Sequence, residues 1–508
     1  MEKMSTLFRK SILAFLVALF AVLSGVSLFV TCRVDTLYNA ETVRLLSAMP
    51  FAEIPAALLL GAGLLLLCRK KRRSSFVPVI PGAAAVLFSI AFVLALGTRQ
   101  RYDFEAVAEA ARTFAQGNYK MLHAPYLNAV SYQLGVIFPM EVFARLFPFL
   151  DLQMSMQVLN VFFSAGIVWL LFRTLRLLFP EDGASGTAAF AALLFLPMLL
   201  NCVFVYGTLP MLLLILVSAD CFVLLSRENT GLSGNSRILH ALVCICAAGL
   251  ACMLKPNAYI YLVALFLCSA IACIREKSLK KLLLPAASLA LALLLSRGVI
   301  FQYELRSGVT LKANVGTKAR LVMGMQDGPA AGWYNLYVER YFPLDVTKAQ
   351  EEEQTSADLR AEIAKKLENP GQALRFYAEK LLTQWLDPTY GTVRYGQVSE
   401  HGNQQLADAV YADSSPLQKA LSFWMKCSQL LFYVLAFIGL VAMLRAGTRA
   451  EVFLLPLTVF GGACYHMIFE AKSHYILVYV LLLAPVAMHG MIAVKQFFLR
   501  RLENRQSA

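Results

Sequence analysis

The sequence predicts an all-α polytopic membrane protein. Apolar residues make up 58% of the 508 and charged residues only 15%, against about 25% charge in an ordinary soluble domain. Runs of about 20 apolar residues, the length a helix rising 1.5 Å per residue needs to cross a hydrocarbon core of about 30 Å, recur from one end of the chain to the other. That composition excludes a soluble enzyme. The 11 Cys lie mostly inside these runs without CxxC or Cys/His spacing, which argues against a disulfide framework or a thiolate metal site.

Twelve runs read as spans: 11–30, 50–68, 76–97, 152–171, 187–206, 208–225, 238–254, 258–274, 282–299, 417–444, 452–469 and 475–494. The first follows Arg9 and Lys10 as a signal peptide would, but its apolar stretch is long and lacks a small-residue cleavage site, so it is kept as a span. The stretch 134–150 is apolar but short, carries Glu141 and Arg145, and is interrupted by Pro139 and Pro148. A crossing there would move Arg275, Glu276, Lys277, Lys280, Lys281 and the basic C-terminal tail outside, against the positive-inside rule, so the stretch reads as a helix lying against the membrane. Both termini are then cytoplasmic, together with Arg69, Lys70, Lys71, Arg72 and Arg73. The net charge of +14 collects on that side, which accounts for it without nucleic acid as a partner.

Three units follow. Residues 1–300 form an N-terminal transmembrane module that includes an outer juxtamembrane segment, 98–151. Residues 301–416 form a small α-rich extracytoplasmic lobe, and 417–508 the C-terminal spans and tail. In the juxtamembrane segment, Phe104, Val107, Ala111 and Phe114 make an apolar stripe at helical spacing, with Glu105, Glu109 and Arg112 facing away and Gly117 available to end the helix. In the lobe, a polar helix over 356–367 is stopped by Asn369, Pro370 and Gly371, and a mixed helix covers 372–386. The run Glu351, Glu352, Glu353 reads as a solvated loop face.

The outer ends of the spans carry the candidate site residues. Asp103 stands just beyond a span at the start of the amphipathic helix, where its carboxylate either meets a lipid substrate or serves as an N-cap. Glu105 is a substrate-facing candidate or, with Glu109 and Arg112, part of a solvated face. His123, Tyr126 and Gln133 either bind a sugar or phosphate, or form an interfacial turn. Lys255, followed by Pro256 and Asn257, either faces a lipid phosphate or snorkels. Glu470, Lys472, His474 and Tyr475 crowd an acid, a base and an imidazole into a short hairpin, although the first two can also simply pair. Asp220 is the acid deep inside a span and should face the bundle interior.

The order of these features resembles the membrane-embedded GT-C glycosyltransferases, which use polyprenyl-phosphate sugars. The likeness is nearest to bacterial members related to the protein O-mannosyltransferase and aminoarabinose-transferase group. It is carried by DFEAVAEAARTFAQG at 103–117, MGMQDGPAAGWYN at 323–335 and EAKSHY at 470–475. The resemblance implies a GT-C-like fold in a bacterial cell membrane, with Asp103 as the catalytic base on the extracytoplasmic side. A base-rich edge, including Lys255, Lys472 and Arg320, would hold the donor phosphate. Two departures stand out: the family's adjacent Asp-Glu becomes Asp103, Phe104, Glu105, and 205–210 lacks the acid that metal-dependent relatives place there. The expectation is therefore no metal and no cofactor beyond the lipid-linked donor. A phosphate leaving group needs no general acid, so one carboxylate suffices for an inverting displacement, with a cell-wall polymer, lipid or protein as acceptor. The alternatives are a lipid-linked sugar flippase or secondary transporter, for which matching broken helices in two halves would be expected, and a structural or regulatory membrane subunit.

Overall fold

The computed structural model describes residues 2–37, 40–67, 79–180, 191–192, 194–227, 231–312, 314–446 and 450–506. Among them, ten helices are long and apolar enough to cross a membrane, from Met4–Ser27 to Ser473–Arg501; this is a multi-pass helical membrane protein. Of the other two expected spans, 50–68 contains an apolar helix, Pro50–Leu66, that is shorter than the ten. The run 187–206 is not one helix: Ala191, Ala192 and Leu194 are helical, the helix breaks at Phe195, and the helix Leu196–Leu200 and the 3-10 turn Asn201–Val203 follow. Residues 76–78, 187–190 and 193, and the basic run 69–73, lie outside the described residues.

Non-helical backbone among apolar helices needs partners for its polar groups, and Leu152–Leu178 supplies them. Gln157 Nε2 donates to Thr98 O (3.0 Å) and Val203 O (3.1 Å), and Asn160 Nδ2 to Cys202 O (3.2 Å) and Phe204 O (3.1 Å). Gln100 Oε1 accepts from Val205 N at 2.5 Å. Elsewhere the bundle closes through small residues: a Cβ on Gly439 would lie 2.1 Å from Val486 O, and one on Gly490 2.0 Å from Leu435 O. The helices Pro416–Ala446 and Ser473–Gln506 therefore approach backbone to backbone there. Asp220 faces the interior as expected, accepting from Thr174 Oγ1 at 2.6 Å with Arg173 3.3 Å away.

At one end of the bundle sit the two expected short helices, Asp103–Ala115 and Leu134–Leu146. Each has 13 residues and is about 20 Å long, too short to span. Phe104, Val107, Ala111 and Phe114 are all buried, as the stripe required. Glu141, the acid in the second helix, is 1% exposed and fully engaged. Arg306 grips both its oxygens (2.6 and 3.0 Å), Tyr303 Oη donates at 2.5 Å and Arg145 Nε at 2.9 Å.

The same end carries a β-hairpin that an all-α reading leaves out. Val30–Leu37 pairs antiparallel with Ala40–Ser47, Val30 opposite Ser47. Cys32 and Val34 turn inward, the period of two that marks a half-buried strand. Cys32 N–H donates to Leu386 O (2.9 Å), tying the hairpin to the lobe.

In the lobe, the helix expected over 356–367 runs from Lys348 to Glu368, started by a capping box between Thr347 and Gln350. This corrects the reading of the acidic run as a solvated loop. The three glutamates are helical, and Glu351 is 3% exposed, accepting from Gly316 N (2.5 Å) and Lys348 Nζ (2.6 Å). The second lobe helix, Pro370–Trp385, begins at the Pro read as a stop, because Pro is favoured in a first helical turn.

Candidate functional site

The site begins with the local structure that sets Asp103. Tyr102, not Asp103, is the N-cap of Asp103–Ala115; its φ is +59°, and no side chain caps the helix. The alternative role of Asp103 as a helix cap is thus corrected: its carboxylate does no capping. The next residue, Phe104, is the anchor. Its ring meets Tyr206 at 4.8 Å and Tyr395 at 4.9 Å between centroids, both edge-on. With Phe104 held inside this aromatic cluster, Asp103 lies at the wall of a cavity of about 360 Å³.

That cavity gathers residues from segments distant in the chain. Asp103, Tyr126, Arg320, Glu470, Lys472, His474 and Tyr475 all line it. A smaller chamber of about 120 Å³ adjoins it across the shared residues Tyr132, Tyr206, Arg320, Glu470 and Tyr475, and is lined also by Gln133 and Lys255. Two expected residues are elsewhere. His123 is exposed at the end of the turn Lys120–His123 and lines neither chamber, because the buried side of that turn is taken by Leu122. Glu105 also lines neither; it is exposed and pairs with Arg101 (3.3 Å), which also engages Glu400.

The electrostatics centre on the segment 469–472. Lys472 Nζ lies 3.7 Å from Glu470 Oε1 and 3.8 Å from Glu41 Oε2, so the pairing of Glu470 with Lys472 is real but shared with a third group. Burial by itself would lower the Lys472 pKa, but Glu41, Glu470 and Asp103 outweigh it and hold the ammonium charged. Burial pushes the Glu470 carboxyl up, against the pull of Lys472 and Arg320. Arg320 sits 5.1 Å over the Tyr132 ring and stays cationic despite its burial, with Tyr132 the main opposing influence. The Tyr126 hydroxyl is pushed up by burial first, then by Tyr206 and Asp103.

Lys255 is a different kind of cation. Its Nζ donates to Thr208 Oγ1 (3.0 Å) and lies 4.6 Å from the centre of the Tyr206 ring. Desolvation alone brings its pKa down to about 7. Gln133 Nε2 donates to Tyr206 Oη, and Tyr395 Oη bonds His474 Nδ1, so both rings on either side of Phe104 are fixed by hydrogen bonds.

The motif at 323–335 acquires a physical reason here. A Cβ on Gly324 would lie 2.4 Å from Ile468 O and 2.7 Å from Phe469 C, so only Gly permits this approach to the start of the charged segment. Gly332 O accepts from Ala471 N (2.8 Å), and Trp333 Nε1 donates to Thr383 Oγ1 (3.0 Å), pinning the same loop to Pro370–Trp385. Tyr334 then faces the cavity with Lys472 5.4 Å from its ring centre.

Sequence reasoning missed Glu41, Tyr334, Arg394 and Tyr395, all in the cavity wall. Glu41 belongs to the hairpin, for which the alternation around Cys32 and Val34 was the available signal. Arg394 and Tyr395 lie on the short helix Thr392–Val398, where no local pattern sets them apart. Compared with known protein families the chain matches none, and no curated protein matches it.

Proposed function

We propose that the protein is an integral-membrane glycosyltransferase of GT-C type. It transfers a sugar from a polyprenyl-phosphate donor to an extracytoplasmic acceptor, such as a cell-wall polymer, a lipid or a protein. The observation that carries this reading is the meeting of one uncapped carboxylate, Asp103, with the cations Lys472 and Arg320 around a single cavity, and of Arg320 with Lys255 in the adjoining chamber.

In this reading Asp103 takes the proton from the acceptor hydroxyl as its oxygen attacks the anomeric carbon. The bond from that carbon to the phosphate oxygen breaks in the same displacement, with inversion, and the polyprenyl phosphate leaves as an anion. Lys472 and Arg320 offset the growing phosphate charge in a site of low dielectric, where such interactions exceed their strength in water. Lys255, with its lowered pKa, gains its full charge when a phosphate arrives. The aromatic walls, Tyr126, Tyr132, Tyr206 and Tyr334, supply ring faces and hydroxyls to hold a sugar. Among the described residues, Asp220 is the acid deep within a span, and no pair of matching broken helices there supports the transporter alternative.

The test is transfer by purified full-length protein from labelled polyprenyl-phosphate sugars to a panel of these acceptors. Asp103→Asn should lower the rate by about 100- to 10,000-fold, the usual contribution of a general base. Equal rates would remove Asp103 from the mechanism, and transport of intact lipid-linked sugar across liposomes without bond cleavage would favour the flippase.

A further inference from the structure

A second cavity, about 250 Å³, lies against the other face of Thr392–Val398: Val393 lines it, whereas Arg394 and Tyr395 line the first. Its walls are the base of the β-hairpin, the start of the helix at Pro50 and the first turns of Pro416–Ala446. It holds unspent hydrogen-bonding capacity in buried charged groups. Glu53 is 4% exposed; its Oε1 accepts from Met49 N (3.1 Å), and its Oε2 is buried without a hydrogen-bond partner. Asp35 turns Oδ2 to Arg33 Nε (2.5 Å) and leaves Oδ1 buried and unpartnered. Lys426 is 3% exposed and donates to Val30 O (3.0 Å), one acceptor for an ammonium with three N–H groups.

Leaving such groups unpaired is costly, and more so for charges. The charge pattern decides what satisfies them. Asp35 and Glu53 share the lining with Arg33, Lys419 and Lys426, while both oxygens of Asp387 are taken by Thr389 and Gly391, so an anion meets two carboxylates and a cation meets three basic groups. A hydroxyl suffers neither penalty, because it donates to a carboxylate and accepts from an ammonium. Phe423, Met49 and Val393 add apolar wall for the carbon face of a ring. The space of about 250 Å³ accommodates a monosaccharide-sized group.

We propose that this cavity is a second binding site, taking an uncharged polyhydroxyl group: a free sugar or the sugar headgroup of a membrane lipid. Glu53 and Asp35 accept from its hydroxyls and Lys426 donates to them. The site is separate from the cavity holding Asp103, and its existence is independent of the transferase reading.

The probe is a photoreactive diazirine derivative of octyl glucoside, added to the full chain in phosphatidylcholine nanodiscs, with the cross-linked peptides mapped. Labelling is expected on 46–53 and 418–426, reduced at least tenfold in Ser422→Phe, which fills the cavity wall, and unchanged in Asp103→Asn. Competition by glucose identifies a soluble sugar as the ligand source; competition only by diglucosyl diacylglycerol identifies a lipid headgroup. Labelling confined to the Tyr334 and Glu470 peptides, or competed by neither compound, overturns the proposal. Labelling that persists in folded Ser422→Phe does the same. Should that variant not assemble, saturable competition on wild type decides alone.

Discussion

Glu141→Gln removes the acid on which the helix Leu134–Leu146 is fastened to the end of the helix Leu283–Ser307. The wild-type carboxylate accepts four hydrogen bonds, two from Arg306, one from Tyr303 and one from Arg145. An amide keeps the shape but removes the charge and turns an N–H₂ toward donors. Breaking one partner of a buried ion pair costs about 3–5 kcal/mol. Arg306 is 25% exposed and Arg145 43%, so both regain some hydration, and the lower end, about 3 kcal/mol, is expected. Removing both sides in Glu141→Leu/Arg306→Met should recover part of the loss, since the Arg306 charge no longer stands unpaired and Arg145 keeps Phe114 O, while the Tyr303 hydroxyl still lacks its acceptor. The pH dependence has a definite sign. Burial alone would raise the Glu141 pKa, but Arg306, Tyr303 and Arg145 reverse this and depress it in the folded state. The contribution is therefore complete above the unfolded value of about 4.3 and is lost as pH falls through the lower folded value. Unfolding of the purified protein by SDS titration, for wild type, both singles and the double, reads all of this. A Glu141→Gln loss under 1 kcal/mol, or a double variant worse than the single, would refute the reasoning.

The Lys255 pKa of about 7 predicts that donor affinity falls as pH rises from 6 to 8, while the anionic donor favours the protonated form. Binding by Lys255→Met should be weaker and flat over that range, and a flat wild-type profile would exclude the role. Gly324→Ala would stabilise an exposed helix by about 1 kcal/mol, yet here it should cost about 1–3 kcal/mol, because the new Cβ meets backbone of 468–469 that cannot yield. It should slow transfer too, by displacing Glu470 and Lys472, which unfolding and transfer assays check together. The proposed sidedness predicts that a cysteine at exposed Glu353 reacts with an impermeant maleimide added to whole cells, whereas one at exposed Lys280 reacts only after lysis. The reverse pattern would invert the topology.

Much of the architecture was legible because its signals are local. Apolar runs of spanning length mark the long helices, and the spacing of Phe104, Val107, Ala111 and Phe114 marks the amphipathic helix whatever surrounds it. Asp103, Glu470, Lys472, His474 and Tyr475 were found as charged or polar groups at span ends, Tyr126 as a polar group of the juxtamembrane segment and Arg320 through the resemblance, and they share a cavity. His123 was chosen by the same rule and lies outside it, since the rule cannot tell which side of a short turn is buried. The run 187–206 illustrates the opposite limit. Its hydropathy equals that of a span, but Gln157 and Asn160, from another helix, satisfy carbonyls that a lone segment would have to pair within itself.

By itself the sequence determined the helical, membrane-crossing class of this protein and the set of residues at its span ends, because helical hydrogen bonds and burial in hydrocarbon depend on runs of neighbours. Only the tertiary structure decided which of those residues meet. Glu41 reaches Lys472 from a hairpin more than four hundred residues away in the chain, and Arg394 and Tyr395 come from a helix with no distinguishing pattern. Nor does local sequence reveal that Glu53, Asp35 and Lys426 surround one space. Such convergence is set by packing between segments, and charge at a site is the sum over all groups that packing brings within reach.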